Sequence, residues 1–332
     1  MERARRCMYT TIYGQSFSPC GTYLATADNF GTVAVFSLPS ILSPEAKKEH
    51  WKPIYTFQGH SGPVYCLVSS DQHLISAGTG DIKCWKWHDI LAKAPKPVWS
   101  LPIPVESKFD DPETNSVVLD EQAGYRRLYA GCGNKQVHAW DLEAGKLLGS
   151  FRGHTDYVHC VALRNNGREC VSGSEDGSVR IWDSRTPSSE AVHVLKPYQA
   201  NDCSRPHLGK WIGCVSVDSG DDFLVCGGGP SLAMWHLRSL APTTVYSTPE
   251  VCQNYVMFYQ DTIISAGSEP FVNHWHINGE RKQHVPCSPS SVFTVAINQH
   301  SESTKILTVG GSGNKVDVCT NFGYKAFSLL TS

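Results

Sequence analysis

The sequence predicts an all-β chain of seven four-stranded antiparallel blades, a β-propeller, and three observations predict it. A short pattern recurs: a Gly-rich or small-residue turn, four or five strand-forming residues, then Trp and a polar residue. Its copies scatter around the length of one blade, roughly 40 to 45 residues. The strand-like stretches between them are short, alternate with period two and end in Gly, Asp or Asn.

In chain order the copies are VAVFSL with Phe36 in the Trp position, IKCWKW with Trp85, VHAWDL with Trp140, VRIWDS with Trp182, LAMWHL with Trp235, VNHWHI with Trp275 and VDVCTN with Cys319 in the Trp position. Successive anchors are 49, 55, 42, 53, 40 and 44 residues apart. Seven anchors predict blades at about 9–57, 60–101, 115–151, 157–195, 211–247, 253–285 and 291–329. A chain of 332 residues suggests two domains by typical domain size. The repeat argues instead for one propeller domain over 1–332. Each blade reads as four consecutive strands, so closure is expected from Tyr9 to Phe17 packing against the seventh blade.

The fourth copy is the most complete. It runs Gly153-His154-Thr155-Asp156-Tyr157-Val158, then Ser172-Gly173-Ser174-Glu175-Asp176-Gly177, then Ile181-Trp182-Asp183. Asp176-Gly177 is a hairpin signal, because Gly takes the positive φ of a tight turn without steric cost. Gly59-His60 before Val64-Tyr65-Cys66 opens a second good copy. This arrangement resembles the WD40 repeat family, and the resemblance covers nearly the whole chain. It implies a buried hydrogen-bond chain of His154, Ser172, Asp176 and Trp182 in blade four. In blade two it implies His60, Ser76 and Trp85; a hairpin one residue shorter leaves Asp81 only a doubtful fourth member. Stranding one member of such a network costs about 1–3 kcal/mol. Blades three, five, six and seven lack the Gly-His pair, so apolar packing is expected to hold them.

Charge and composition exclude several classes. With 29 Lys+Arg against 31 Asp+Glu, the net charge of -2 supplies no whole-molecule field for phosphate backbones or anionic membranes. No apolar run approaches the roughly 18 residues of a spanning helix. Arg3, Arg5 and Arg6 have no apolar core behind them, so Met1 to Tyr9 does not read as a secretory signal. Thirteen cysteines without a CxxC pair read as reduced thiols of cytosol or nucleus.

Five patterns invite chemistry and resolve into structure. His154, Ser172 and Asp176 look like a hydrolytic triad, yet repeat register explains all three together with Trp182. Gly310 to Asn314 fails the GxSxG pattern at its last position, and Gly227-Gly228-Gly229-Pro230 lacks the spacing and following helix of a phosphate loop. His274 and His276 flank Trp275 without further ligands at zinc spacing, and are expected to be exposed strand positions. Cys66, Cys160 and Cys214 share one position of the innermost strand, as small buried residues do. No catalytic residue, metal or cofactor is expected. Arg126-Arg127 and the N-terminal arginines read as solvated surface.

Function is then expected in the long connections. Ser37 to Lys52 is Ser/Pro/Lys-rich and expected to be exposed, and Pro102 to Thr114 is Pro- and acid-rich. Lys196 to Lys210 joins blades four and five on the face that, in the family, bears the Gly-His turns. Tyr198, Arg205, His207, Lys210 and Trp211 are its candidate partner-binding residues, rich in types that anchor interfaces.

A narrower resemblance rests on Cys203-Ser204-Arg205-Pro206-His207, Gly209 to Cys214, Cys226 to Pro230 through Arg238, and Thr320-Asn321-Phe322-Gly323-Tyr324-Lys325-Ala326-Phe327. Together these are similar to a WD40 subunit family of the THO complex, part of the transcription-export (TREX) machinery. The resemblance implies a nuclear, non-enzymatic scaffold coupling transcription and mRNA processing to export. Its partners are the other THO subunits, with RNA met only through the complex and no membrane or small-molecule substrate. In that family some leader precedes the first strand, and Met1 to Met8 reads as a divergent leader or an alternative start. The competing class is a substrate receptor of a cullin-RING ubiquitin ligase, because Trp182-Asp183-Ser184-Arg185 matches the WDxR box, with Arg185 as its docking residue. A histone or phosphopeptide reader would instead need a charged, aromatic-lined channel mouth.

Overall fold

The computed structural model describes residues 8–104, 113–121, 126–185, 190–248, 250–300 and 305–331. Its strands form the seven four-stranded antiparallel sheets of a β-propeller, each sheet built from strands consecutive in the chain. Blade one comprises β1 Ile12–Phe17, β2 Tyr23–Asp28, β3 Thr32–Ser37 and β4 Tyr55–Gln58. Blade two comprises β5 Val64–Ser70, β6 His73–Gly78, β7 Ile82–Lys86 and β8 Pro97–Leu101. Blade three is β9 Thr114–Asp120, β10 Arg127–Cys132, β11 Gln136–Asp141 and β12 Lys146–Arg152, and blade four is β13 Val158–Arg164, β14 Glu169–Ser174, β15 Val179–Asp183 and β16 His193–Leu195. Blade five is β17 Ile212–Val217, β18 Phe223–Gly228, β19 Ala233–His236 and β20 Ala241–Val245. Blade six is β21 Gln253–Tyr259, β22 Thr262–Gly267, β23 Phe271–His276 and β24 Arg281–Pro286. Blade seven is β25 Val292–Ile297, β26 Leu307–Gly311, β27 Lys315–Cys319 and β28 Phe327–Leu330.

The chain divides into two compact units. One holds Met1–Pro104, Glu269–Val272 and Val285–Ser332, with blades one, two and seven; the other holds Val105–Ser268 and Asn273–His284, with blades three to five and most of blade six. Second strands are buried on both faces and read as continuous apolar and small residues, while outer strands such as β20 alternate between exposed and half-buried. Exposed edges of this kind suit the Lys and Thr that these outer strands carry.

Two features recur at every innermost strand. The ladder breaks register at its second residue, a β-bulge that tightens the local twist. Just beyond the bulge, each inner strand pairs with a small residue of the second strand: Ala27, Ala77, Gly131, Gly173, Gly227, Ala266 or Gly310. The reason is steric. A Cβ on Gly173 would lie 2.7 Å from Ile212 Cγ2, and one on Gly131 would lie 2.8 Å from Val158 Cγ1, so the following blade needs the empty space.

Within the first unit, blades one and seven meet without sharing a strand. Thr11 bridges Ser312, and the Gly313 N–H donates to the Thr10 carbonyl at 2.9 Å. Gln15 Nε2 donates to the Thr294 carbonyl at 3.1 Å, and Asn298 Nδ2 to the Gly21 carbonyl at 2.9 Å. The connection 37–52 is exposed over most of its length, as expected, but part of it packs inward. It contains the helix α1 Leu38–Leu42 with Leu38 and Ile41 buried, and Trp51 stacks on Phe327 at 5.1 Å. Its Ser, Pro and Lys content masks four apolar side chains that cover the flank of blade seven. Arg3, Arg5 and Arg6, and residues 105–112 of the acidic connection, lie outside the described residues.

Candidate protein-interaction face of blades four and five

Blade four brings His154, Ser172, Asp176 and Trp182 together. The Trp182 indole N–H donates to Ser172 Oγ at 2.8 Å, Ser172 Oγ lies 2.7 Å from His154 Nε2, and His154 Nδ1 lies 2.8 Å from Asp176 Oδ2. A carboxylate on Nδ1 sets the tautomer: Nδ1–H donates to Asp176, and Nε2 accepts the Ser172 proton. Ser178 Oγ donates to the other carboxylate oxygen at 2.6 Å. Burial works against the Asp176 charge, but the hydrogen bonds from His154 and Ser178 outweigh it and hold the carboxyl far below its usual range. Burial pushes His154 down, and Asp176 only partly resists. Ser172 and Trp182 are both 0% exposed, so this hydroxyl is sealed from any substrate. The arrangement locks the Asp176-Gly177 turn to the core of the blade.

In blade two, Trp85 Nε1–H donates to Ser76 Oγ at 2.9 Å, and His60 Nε2 lies 2.8 Å from the same oxygen. His60 Nδ1 lies 3.2 Å from the Thr79 carbonyl, which occupies the acceptor position the shorter hairpin denies to Asp81. Blade six corrects the expectation of purely apolar packing, since Trp275 Nε1–H donates to Ser265 Oγ at 2.9 Å, with no histidine on that hydroxyl among the described residues.

The connection from β16 to β17 carries two 3-10 turns, Pro197–Gln199 and Pro206–Leu208. Arg205, expected to face a partner, turns inward and is 8% exposed. Its Nε donates to the Gly229 carbonyl at 2.9 Å, and its Nη2 reaches the carbonyls of Gly228 at 3.2 Å, Pro230 at 2.9 Å and Val251 at 3.0 Å. Its Nη1 donates to the Thr248 carbonyl. A guanidinium has only donors, in a rigid fork, and converging carbonyls satisfy it without a carboxylate. The Gly227 to Pro230 run therefore offers acceptor oxygens to a cation, the opposite polarity to the N–H groups that cradle phosphate.

Held by this clamp, the loop packs against the turns of both blades. A Cβ on Gly177 would lie 2.9 Å from the Tyr198 ring and 3.0 Å from Lys210 Cβ; one on Gly229 would lie 2.4 Å from the Gly209 carbonyl oxygen. Tyr198 and Trp211 are half-buried, and Lys196, His207 and Lys210 are exposed. Trp211 meets the His159 ring edge-on at 6.2 Å, and His159 Nε2 lies 2.9 Å from Glu175 Oε2. Tyr157 is 48% exposed, and its carbonyl accepts from the Glu175 N–H at 2.9 Å. His207 is set apart, 3.6 Å from Glu250.

Arg185 lies at the far end of β15 from the Asp176-Gly177 turn. Its guanidinium grips Asp183 with both carboxylate oxygens engaged, at 2.9 and 2.6 Å, and holds that carboxyl down to about 2. His274, expected on the surface, is 5% exposed, and burial lowers it to about 4, whereas His276 is exposed. Cys160 and Cys214 are buried and Cys66 is half-buried; burial pushes the Cys160 thiol up to about 12. Among the described residues no group of three His, Cys, Asp or Glu side chains could hold a metal ion.

Comparison with known proteins follows the same geography. The family model described as WD domain, G-beta repeat, matches residues 51–86 and 145–183, the parts of the chain that end in the Trp85 and Trp182 strands. The chain is 46% identical to THO complex subunit 6 of Homo sapiens over 98% of its own length and 94% of that protein. It is 43% identical to the THO complex subunit 6 homolog of Danio rerio, covering 97% of this chain and 98% of that one, and 30% identical to THO complex subunit 6 of Drosophila melanogaster, covering 95% and 88%. Identity of this extent, with WD40 repeats on a seven-bladed propeller, places the chain in the THO complex subunit 6 family.

Proposed function

We propose that this chain is a non-enzymatic subunit of a nuclear THO complex that couples transcription and mRNA processing to mRNA export. The observation that carries the reading is its near full-length similarity to THO complex subunit 6 proteins. Its partners are other THO subunits, and RNA is reached through them, in keeping with a net charge of -2. The docking surface is the one built by Tyr198, Lys210 and Trp211 with Tyr157 beside them. Arg205 and the blade-four network set its shape from beneath. Rigid aromatic side chains around a lysine, on a loop held by the Arg205 clamp, suit binding with little ordering cost.

Affinity purification of the tagged chain from nuclear extract tests this. THO subunits are expected to co-elute, to persist with Arg185→Ala, and to fall with Lys210→Glu combined with Trp211→Ala. Recovery of a ubiquitin-ligase adaptor alone, lost in Arg185→Ala, would overturn the proposal in favour of a ligase receptor.

A further inference from the structure

Five serine or threonine residues of the sequence directly precede a proline: Ser18, Ser43, Thr186, Thr248 and Ser288. Thr186 lies outside the described residues, and burial and hydrogen bonding sort the other four. Ser18 is 2% exposed and Thr248 is 6% exposed. Ser288 is exposed, but its hydroxyl donates to Asp317 Oδ1 at 2.8 Å and accepts from Lys325 Nζ at 2.9 Å. Asp317 is 0% exposed, so withdrawing that hydroxyl would take a donor from a buried carboxylate.

Ser43 differs on each count. It is exposed, and its Oγ accepts one long hydrogen bond, from the Glu45 N–H at 3.3 Å. Its own hydroxyl proton has no acceptor among the described residues. Leu38 and Ile41 anchor the connection on one side of it, and Trp51 on Phe327 anchors it on the other. Between these anchors Pro44, Glu45 and the run from Lys47 to His50 stand exposed. The backbone at Ser43 is extended, with φ -59° and ψ 138°, the conformation that a following proline favours.

Proline at the next position selects the enzyme that can use such a hydroxyl. It has no N–H. A substrate groove that offers no acceptor there takes Ser-Pro freely, whereas any other residue would leave a buried N–H unpaired. We propose that Ser43 is a phosphorylation site for a proline-directed protein kinase, with ATP as the phosphoryl donor. The Ser43 Oγ–phosphorus bond forms as the bond from the γ-phosphorus to the bridging oxygen of ADP breaks, and the hydroxyl proton passes to the base of the kinase. In 43–50 the charges of Lys47 and Lys48 cancel those of Glu45 and Glu49. Phosphoserine adds a charge of about -2 at neutral pH, so the modification turns a neutral exposed loop into an acidic one.

Incubation of the full chain with a purified cyclin-dependent kinase and Mg-ATP, followed by peptide mass mapping, tests the proposal. Phosphate is expected on Ser43 and not on Ser18, Thr248 or Ser288. Ser43→Ala should abolish the Ser43 label. Pro44→Ala, which keeps the acceptor hydroxyl, should slow labelling about tenfold or more, the effect of one unpaired N–H in the kinase groove. Both substitutions fall on exposed side chains, and melting temperatures verify that each variant is folded. No phosphate on Ser43 of the parent chain, or labelling of folded Pro44→Ala at the parental rate, overturns the proposal. So does labelling of Ser18, Thr248 or Ser288 in preference to Ser43, because burial and hydrogen bonding would then not decide which hydroxyl is used.

Discussion

The Trp182 indole N–H donates to Ser172 Oγ over 2.8 Å, with both side chains shut off from solvent. The same pair recurs as Trp275 and Ser265 in blade six, where no histidine shares the hydroxyl among the described residues. Ser172→Ala strands both the indole and His154 Nε2, and Ser265→Ala strands the indole alone. Each stranded buried group costs about 1–3 kcal/mol. The loss in melting temperature should therefore be larger for Ser172→Ala, and equal losses would show that His154 contributes nothing through this contact.

Trp182→Ala also removes a fully buried ring that packs against Phe151 at 5.6 Å. About 3–5 kcal/mol of stability should be lost. An unchanged thermal unfolding midpoint would contradict its place in the core.

Arg205 and Lys210 should separate structure from recognition. Arg205→Lys cannot reproduce a planar fork on five carbonyls, so the loop from β16 to β17 should become sensitive to limited proteolysis and the melting temperature should fall. Lys210→Ala, on an exposed side chain, should leave both unchanged while lowering recovery of THO partners. Proteolysis of the Arg205→Lys loop at the parental rate would argue against the clamp.

Acid should destabilise the fold well above the carboxylate range. An unfolded imidazole titrates near 6.5, whereas burial, reinforced by Arg152 and Lys282, holds folded His138 and His274 down to about 4. The unfolded chain then binds more protons between those values, so stability is complete above pH 6.5 and falls as the pH drops toward 4. The slope is about 1.4 kcal/mol per pH unit for each histidine. His60 and His154 shift in the same direction. Asp176, held low in the folded state, adds stability that disappears only in stronger acid. Melting temperatures from pH 7.5 to 4.5 should show the decline, and His274→Gln should flatten it.

Thiol chemistry should follow burial. Cys160, Cys132 and Cys319 are pushed up to about 12, so they are protonated as well as buried. Cys20 is exposed; burial works against its thiolate, but the hydrogen bonds from Ser18 and Thr22 together outweigh it and bring it below the ordinary thiol value. Mass mapping after brief alkylation at neutral pH should find Cys20 modified well before the other three. Simultaneous modification would mean that blades three, four and seven open readily.

Much of this was legible in local sequence. The Trp anchors, Asp176-Gly177 and the two Gly-His pairs lie where turn chemistry and strand periodicity put them, because both act over a few residues. The inward turn of Arg205 was not legible. Its sequence neighbours Ser204 and Pro206 are those of a surface loop, and its partners Gly229, Thr248 and Val251 belong to later parts of the chain. The inward packing of Leu38, Ile41 and Trp51 was hidden for a similar reason, since Trp51 stacks on Phe327 of the last blade.

By itself, then, the sequence determined the number of blades, the register of each Trp and the identity of the hydrogen-bonding residues in blades two and four. Only the tertiary structure decided that Arg205 is a strut, that Tyr198 and Lys210 close over Gly177 while Trp211 lies against Gly213, and that Tyr13 lies between Tyr65 and Phe293. Periodicity and turn preference are properties of neighbouring residues, whereas a side chain's direction at a bulge or in a long loop is set by the blade packed beside it.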